Sequence, residues 1–369
     1  ASELESVAEP GQLAAVLDAM EQAVEALGPV GGDDVTVRAM ASMWIHRARL
    51  ALFQARAEDA RRSILGALDM ARSGGWSDLE LRALLQAAIV ALVSGRPDEA
   101  EAFARDGLVL AEERGDRWRR ARLLHRMATA ANLQGRAERS VRLYGEARIG
   151  YQEVGDKFLE AYLLVGLAHA LARLERVDEA AALLHESILA NRRLGQQMRC
   201  GDAHVLLGEL MRQQGRDREA REHYQEGTRL YRAVGNWIGL PSVLANLALM
   251  DIRAQNHTDA EPLLDEALTI LRASPQSRQR SLMELLRLAN LAGIDRWEPA
   301  EKRLPEFDDD VRKRGLADAD TAWVMDQLGD RAAHDRPALA RRAWGLAAWM
   351  HDQLGQSADA SRVRHKLAP

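Results

Sequence analysis

The chain has 369 residues, 47% hydrophobic and 28% charged, which speaks against wholesale disorder and leaves room for two or three globular domains or one elongated repeat array. A net charge of −5 argues against a dedicated nucleic-acid binder, and a single cysteine, Cys200, excludes an internal disulfide. The most apolar run, residues 83–93, is too short to span a bilayer and is bounded by Arg82 and Arg96, so no membrane segment is expected and a cytoplasmic, reducing setting fits.

The N-terminal ASELESVAEP is acidic where a secretion signal is basic and then apolar. It lacks a starting Met, so the chain is expected to be a processed product or a piece of a longer protein. Only Lys157, Lys302, Lys313 and Lys366 of the 50 basic residues are lysine, which points to GC-rich coding and a bacterial source. Residues 11–28 read as a lone helix before the GPVGGDD break, making 1–35 an N-terminal capping segment.

From residue 36 to 355 the chain repeats itself with a period of forty, giving eight units. GRPDEAEAFARDG at 95–107 returns as GRAERSVRLYGEA at 135–147 and as GRDREAREHYQEG at 215–227. One register holds Ala60, Ala100, Ser140, Ala180, Ala220, Ala260, Ala300 and Ala340. A second holds Gly75, Gly115, Gly155, Gly195, Gly235, Gly315 and Gly355, with Pro275 as its exception. Within the period 156–195, Leu159, Tyr162, Leu163, Leu167 and Leu171 follow spacings of three and four and predict an amphipathic first helix. Glu175 to Val177 make a short turn, Asp178 can cap a second helix, and Gly195 ends it. Asp116, Asp156 and Asn236 can cap the next helices. The small residues fall where antiparallel helices cross. Larger ones such as Tyr144, Leu184, Tyr224, Leu264 and Trp344 fill the layer between hairpins. A further small-residue register passes from Gly208 and Ala248 to Leu288 and Leu328, and another meets Phe307, so a change of packing is expected near 272–310. SADASRVRHKLAP at the end reads as a C-terminal capping helix within 356–369.

Leu207, Gly208, Gly215, Ala220, Tyr224 and Gly227 resemble the packing positions of the tetratricopeptide repeat, and the resemblance covers roughly residues 36–355. The departures are a period of forty where the usual one is about 34, and a consensus Trp early in the first helix that appears only at Trp44. Such long periods look like those of bacterial signalling proteins. The resemblance implies an all-α, right-handed superhelical solenoid of eight antiparallel hairpins with capping helices at both ends.

Catalytic signatures are missing: the sequence has no phosphate loop, HExxH, GxSxG or kinase catalytic loop. No enzymatic activity, cofactor or metal is expected. Cys200 and His204 lie four apart, but two ligands do not make a metal site. NHT at 256–258 matches a glycosylation triplet without a secretory context. Ten arginines between 114 and 148 form a basic belt, read first as a solvated face balanced by acids of neighbouring repeats and second as a site for an acidic segment or nucleic acid. PEFDDD at 305–310 reads as a solvated loop or helix end.

In such arrays the first helices line the concave surface. Residues expected there are Arg49, Arg82, Arg122, His125, Asn132, Tyr162, His169, Arg173 and Arg212, with Asp202, Glu209 and Gln213 beside them. Leu85, Ile89, Leu249, Ile252, Leu282 and Leu285 make apolar shoulders. A polar, basic centre with apolar flanks suits an extended or helical peptide. The expected function is therefore a protein–protein interaction module holding a peptide or protein segment, with an acidic one matching the basic centre, in its groove. A second reading makes it the regulatory or sensor region of a larger serine/threonine kinase or ATP-dependent (STAND-type) regulator. A third, an enzyme such as a phosphatase acting through a lone groove carboxamide or carboxylate, is one that nothing in the sequence demands.

Overall fold

A computed structural model describes residues 34–54, 56–273 and 277–367. The expected N-terminal capping helix and Pro275 lie outside the described residues. The chain forms two compact units, divided between Leu194 and Gly195.

The first unit contains α1 (Asp34–Phe53), α2 (Ala57–Ser73), α3 (Ser77–Val93), α4 (Pro97–Glu113), α5 (Arg117–Leu133), α6 (Ala137–Val154), α7 (Lys157–Ala172) and α8 (Val177–Arg193). The second contains α9 (Gln197–Gln213), α10 (Asp217–Val234), α11 (Leu240–Arg253), α12 (His257–Ile270), α13 (Arg278–Gly293), α14 (Glu298–Lys313), α15 (Ala319–Ala332), α16 (Pro337–Gln353) and α17 (Ser357–His365). Within each unit consecutive helices pack on one another, so α1 pairs with α2 and α2 packs on α3, the pattern of stacked hairpins; the exception is α14 and α15, where α15 packs back on α13 and α16 on α14. None of the described helices is long and apolar enough to cross a membrane.

The small-residue registers lie at the helix contacts. Ala60, Ala100, Ala180, Ala220, Ala260 and Ala300 are fully buried. Ser140 is equally buried and donates its hydroxyl to the Ala128 carbonyl at 2.8 Å. Gly208 faces the ring of Tyr224 across the α9–α10 hairpin, and a Cβ there would sit 2.7 Å from ring carbons. Gly329 faces Trp344 in the same way across α15 and α16.

Turn chemistry explains how the period is kept. Gly95, Gly135 and Gly215 join first to second helices in the left-handed conformation, which glycine enters cheaply. Glu175, Gln255 and Asp295 take the same conformation at φ 58°, 61° and 60°, so the fold imposes this turn even where a side chain resists it. Asp116 and Asp156 cap their helices by accepting from the backbone N–H of Arg119 and Leu159. Asp178 does not cap α8: Arg176 occupies that position, and Asp178 lies in the first turn, where its charge favours the helix N-terminus.

In the second unit α12 ends after 14 residues in a 3₁₀ turn over Leu271–Ala273, where α10 runs to 18. Leu288 and Leu328 are buried in their registers. Phe307 does not enter a crossing point; it is half-buried beneath the Arg303 guanidinium, 4.8 Å from the ring centre. The PEFDDD run is not a loop but the interior of α14. There Asp308 meets Arg312 at 2.5 Å, and Asp310 meets Arg314 at 2.9 Å.

His257, at the start of α12, is buried among polar groups. Its Nε2 lies 2.9 Å from Arg331 Nη1 and its Nδ1 lies 3.0 Å from Asn290 Oδ1. Arginine only donates, so Nε2 must accept and Nδ1 must carry the proton, which makes the ring neutral. Burial, and after it the Arg331 charge, hold His257 below the usual value of 6.5. The unfolded chain therefore binds this proton at a higher pH than the folded one. Stability should fall as pH drops below 6.5, by at most about 1.4 kcal/mol per pH unit. Denaturant midpoints from pH 7 to pH 5 test this, and His257→Gln should flatten the slope.

Candidate functional site

The basic belt is mostly paired. Buried Glu101 on α4 receives Arg139 at 2.7 Å, Arg105 at 2.8 Å and Arg136 at 3.4 Å. Burial pushes its carboxyl up, but the hydrogen bonds from Arg139, Gln134 and Arg105 outweigh that and hold it below its ordinary value. Arg119 meets Asp116 at 2.5 Å, Arg120 meets Glu112 at 3.3 Å, and Arg148 meets Glu186. Most of these arginines bind acids of their own or an adjacent repeat.

Arg49, Arg82 and Arg122 come together on the faces of α1, α3 and α5. With Arg119 they surround a concavity of about 330 Å³ whose apolar wall is built from Leu52, Phe53, Leu85, Ile89 and Val93. The expected apolar shoulder residues Leu85 and Ile89 thus share one cavity with three of the expected arginines. Arg122 lies 4.5 Å above the ring of Trp118, whose indole N–H donates to Asp156 Oδ2 at 2.8 Å. The Asp156 that caps α7 therefore also anchors the aromatic platform of Arg122.

Asn132, His169 and Arg173 make a separate cluster at the C-terminal ends of α5 and α7. Asn132 Nδ2 donates to His169 Nδ1 at 3.0 Å, and Arg173 Nη1 donates to the Asn132 carbonyl at 3.1 Å. His125 does not line the surface. It is 3% exposed and sits edge-on to Tyr144 and Tyr151, with Tyr162 tilted against it at 5.5 Å. Its Nδ1 pairs with the Tyr151 hydroxyl at 3.1 Å. The expectation of a groove-facing His125 is corrected: its ring is buried against the tyrosines, and Leu85 and Ile45, one and two periods earlier, are buried as well. Burial drives the Tyr144 and Tyr151 hydroxyls above their ordinary value, so both remain neutral donors.

Arg212 belongs to the second unit and is already engaged. Its guanidinium meets both carboxylate oxygens of Asp320 at 3.2 Å. Arg253 reaches the same carboxylate at 2.9 Å while lying 4.8 Å over the Trp323 ring. Arg212, expected on the groove face, thus meets a carboxylate supplied by the first turn of α15. One turn earlier, burial raises the Glu209 carboxyl. Asp202 accepts from the Tyr231 hydroxyl at 2.7 Å and meets Arg199 at 2.9 Å.

Sequence reading missed Arg119, Phe53 and Val93 in the cavity, and Asp320 and Arg253 in the second unit. A signal for the first group existed: Phe53, Val93 and Leu133 recur at forty-residue spacing at the ends of α1, α3 and α5, all more than half exposed. Among the described residues no group of three or more His, Cys, Asp or Glu is placed to hold a metal ion. Cys200 is buried, and His204 pairs instead with His223, Nδ1 to Nδ1 at 3.0 Å.

A family model described as a tetratricopeptide repeat matches residues 159–233. No curated protein sequence matches the chain. Among solved structures it is similar to a Rap protein complexed with competence and sporulation factor, with TM-score 0.66 and 13% identity over 95% of this chain and 100% of that one. It is also similar to the apo form of the quorum sensor NprR from B. thuringiensis, with TM-score 0.64 and 14% identity over 92% and 97%. A third similar structure is the signal transduction ATPase PH0952 from Pyrococcus horikoshii, a STAND protein with a tetratricopeptide repeat sensor. Its TM-score is 0.56 at 12% identity, over 97% of this chain and 52% of that one. At these identities the likeness is one of fold.

Proposed function

The chain is a tetratricopeptide-repeat protein of long period, and from that premise we propose that it is a signalling scaffold that holds a peptide or protein segment on the faces of its first helices. The observation that carries this reading is the gathering of Arg49, Arg82, Arg119 and Arg122 around an apolar wall on α1, α3 and α5. Cations beside apolar side chains suit a segment with acidic and apolar residues interleaved. The similar Rap structure holds a competence and sporulation factor, and NprR is described as a quorum sensor, which supports a segment-sized ligand. The likeness to PH0952, described as carrying a repeat sensor, favours a second, compatible reading in which this array is the sensing part of a larger regulator. A reducing, cytoplasmic setting agrees with the single cysteine.

Affinity capture from native lysate tests the site. Arg122→Glu with Arg173→Glu should lose the specific partner, whereas Arg142→Glu on the second helix α6 should keep it. Capture should weaken as salt rises from about 0.1 to about 1 M, because exposed charge pairs are screened. A partner held equally by all three proteins at both salts would place binding elsewhere.

A further inference from the structure

The solvent side of the second helices carries an apolar row. Val109 of α4, Ile149 of α6 and Leu189 of α8 share one register of forty and are 53%, 57% and 56% exposed. Single exposed apolar residues are ordinary, but three in successive repeats form a continuous feature. The same register reads Asp69 before the row and Arg229 after it, so the row is confined to three repeats. Gly145 lies one turn before Ile149 inside α6. Glycine weakens a helix interior, and a Cβ at Gly145 would meet nothing within 4 Å, so packing inside the chain does not call for it. Gly107 and Gly150, by contrast, face Leu123 and Ala121. An open glycine beside an exposed isoleucine leaves a hollow that a partner side chain can enter.

The charges beside the row are mainly acidic. Glu113 and Glu153 follow Val109 and Ile149 by one turn, and Glu146 precedes Ile149 on its other flank. All three are exposed and make no ion pair among the described residues. Arg105, one turn before Val109, is already held by Glu101 at 2.8 Å. Arg142 lies two turns before Ile149, past the hollow, and Arg192 and Arg193 stand at the end of α8, beyond Leu189. Unpaired carboxylates along an apolar row repel nucleic acid and anionic bilayers and favour a cationic partner with an apolar ridge.

We propose that the solvent faces of α4, α6 and α8 dock a cationic amphipathic helix of a partner protein, laid across the three helices. Successive second helices stand about one helix diameter, roughly 10 Å, apart, and seven residues of a partner helix rise about 10.5 Å. Apolar residues at heptad spacing therefore meet Val109, Ile149 and Leu189 in turn, and lysines or arginines beside them meet Glu113, Glu146 and Glu153. The partner side chain over Ile149 extends into the hollow above Gly145. This surface is separate from the first-helix face and does not depend on it.

Fluorescence anisotropy with the full chain tests this, using a labelled helical peptide of about 21 residues with leucines at heptad spacing and lysines on both flanks. One control peptide carries glutamates for the lysines, another alanines for the leucines. The lysine–leucine peptide should bind saturably, at least about tenfold more tightly than either control. Glu113→Gln with Glu153→Gln should weaken it by about threefold or more. Ile149→Asp separates docking from plain charge attraction: docking loses about tenfold or more despite the added negative charge, whereas plain attraction is equal or tighter. Gly145→Gln, which fills the hollow and favours the helix, should weaken the peptide while raising the melting temperature. Retention of the peptide by the Ile149→Asp or the double Gln variant, each shown to be folded by its melting curve, would overturn the inference, as would equal binding of either control peptide. So would a wild-type dimer in sedimentation equilibrium that Ile149→Asp dissolves, because a second copy would then cover the row. Arg122→Glu with Arg173→Glu should bind the peptide as the wild type does, so this inference and the first-helix reading fail separately.

Discussion

Tyr224→Ala should be among the most damaging single substitutions in the second unit, costing about 3–5 kcal/mol. The ring is fully buried between α9 and α10, and Gly208 leaves the space it fills, so truncation opens a void that its neighbours cannot close. The hydroxyl is buried and makes no hydrogen bond among the described residues that would add to the cost. Burial, and then the nearby Glu209 charge, push its pKa up to about 12, so it stays neutral beside Arg212. Urea midpoints of the full chain measure the loss. Gly208→Leu alone should also destabilise, because its side chain enters the ring of Tyr224. Combined with Tyr224→Ala it should recover part of the stability, since the new side chain fills the vacated volume. Two losses that simply add would show that the two positions do not share one space.

Removing the two cations at the end of the chain, Arg362 of α17 and Lys366 at its C-cap, should cost about 3 kcal/mol. Asp326 of α15 is 1% exposed, and Arg362 and Lys366 each meet its carboxylate at 2.8 Å. Hydrogen bonds from Asp326 raise the Arg362 guanidinium; at Lys366, Asp326 and Asp330 outweigh the lowering effect of burial and raise the ammonium. Arg362→Met with Lys366→Met strips a buried carboxylate of its partners. The cost lies near the lower end for buried pairs because both cations keep their outer parts in water. Adding Asp326→Leu should return most of the stability, since replacing a whole buried ion cluster by apolar groups is often neutral. A triple variant as unstable as the double would show that α17 acts through packing of Ala360 and Val363 instead.

The helices were legible because each repeat writes its own packing rule twice, small against large, as at Gly208 and Tyr224. The cavity arginines were legible for a related reason: Arg82 and Arg122 share a register that turns towards the first-helix face. His125 was misplaced although the signal was present, since Ile45 and Leu85 fill its slot in earlier repeats and are buried. Arg212 could not be read correctly from the repeat. A period describes neighbours, whereas its partner Asp320 lies 108 residues away and is brought near by the path of the chain within the second unit. Asp326 was missed because one buried acid in an amphipathic helix looks like any solvent-facing one until α17 is in place.

The left-handed turn residues have a consequence for how such a chain changes over evolutionary time. Gly95, Gly135, Glu175, Gly215, Gln255 and Asp295 hold the same backbone conformation at the same point of successive periods. A genetic event that duplicates or deletes one whole period therefore rejoins two ends already in matching phase, and every helix beyond the junction keeps its buried side inward. An insertion of any other length breaks that phase and turns apolar side chains outward. Lineages can thus lengthen or shorten the array by recombination in whole units. A non-glycine residue at the turn, as at Glu175, shows that single-residue drift at the joint is tolerated where drift in length is not.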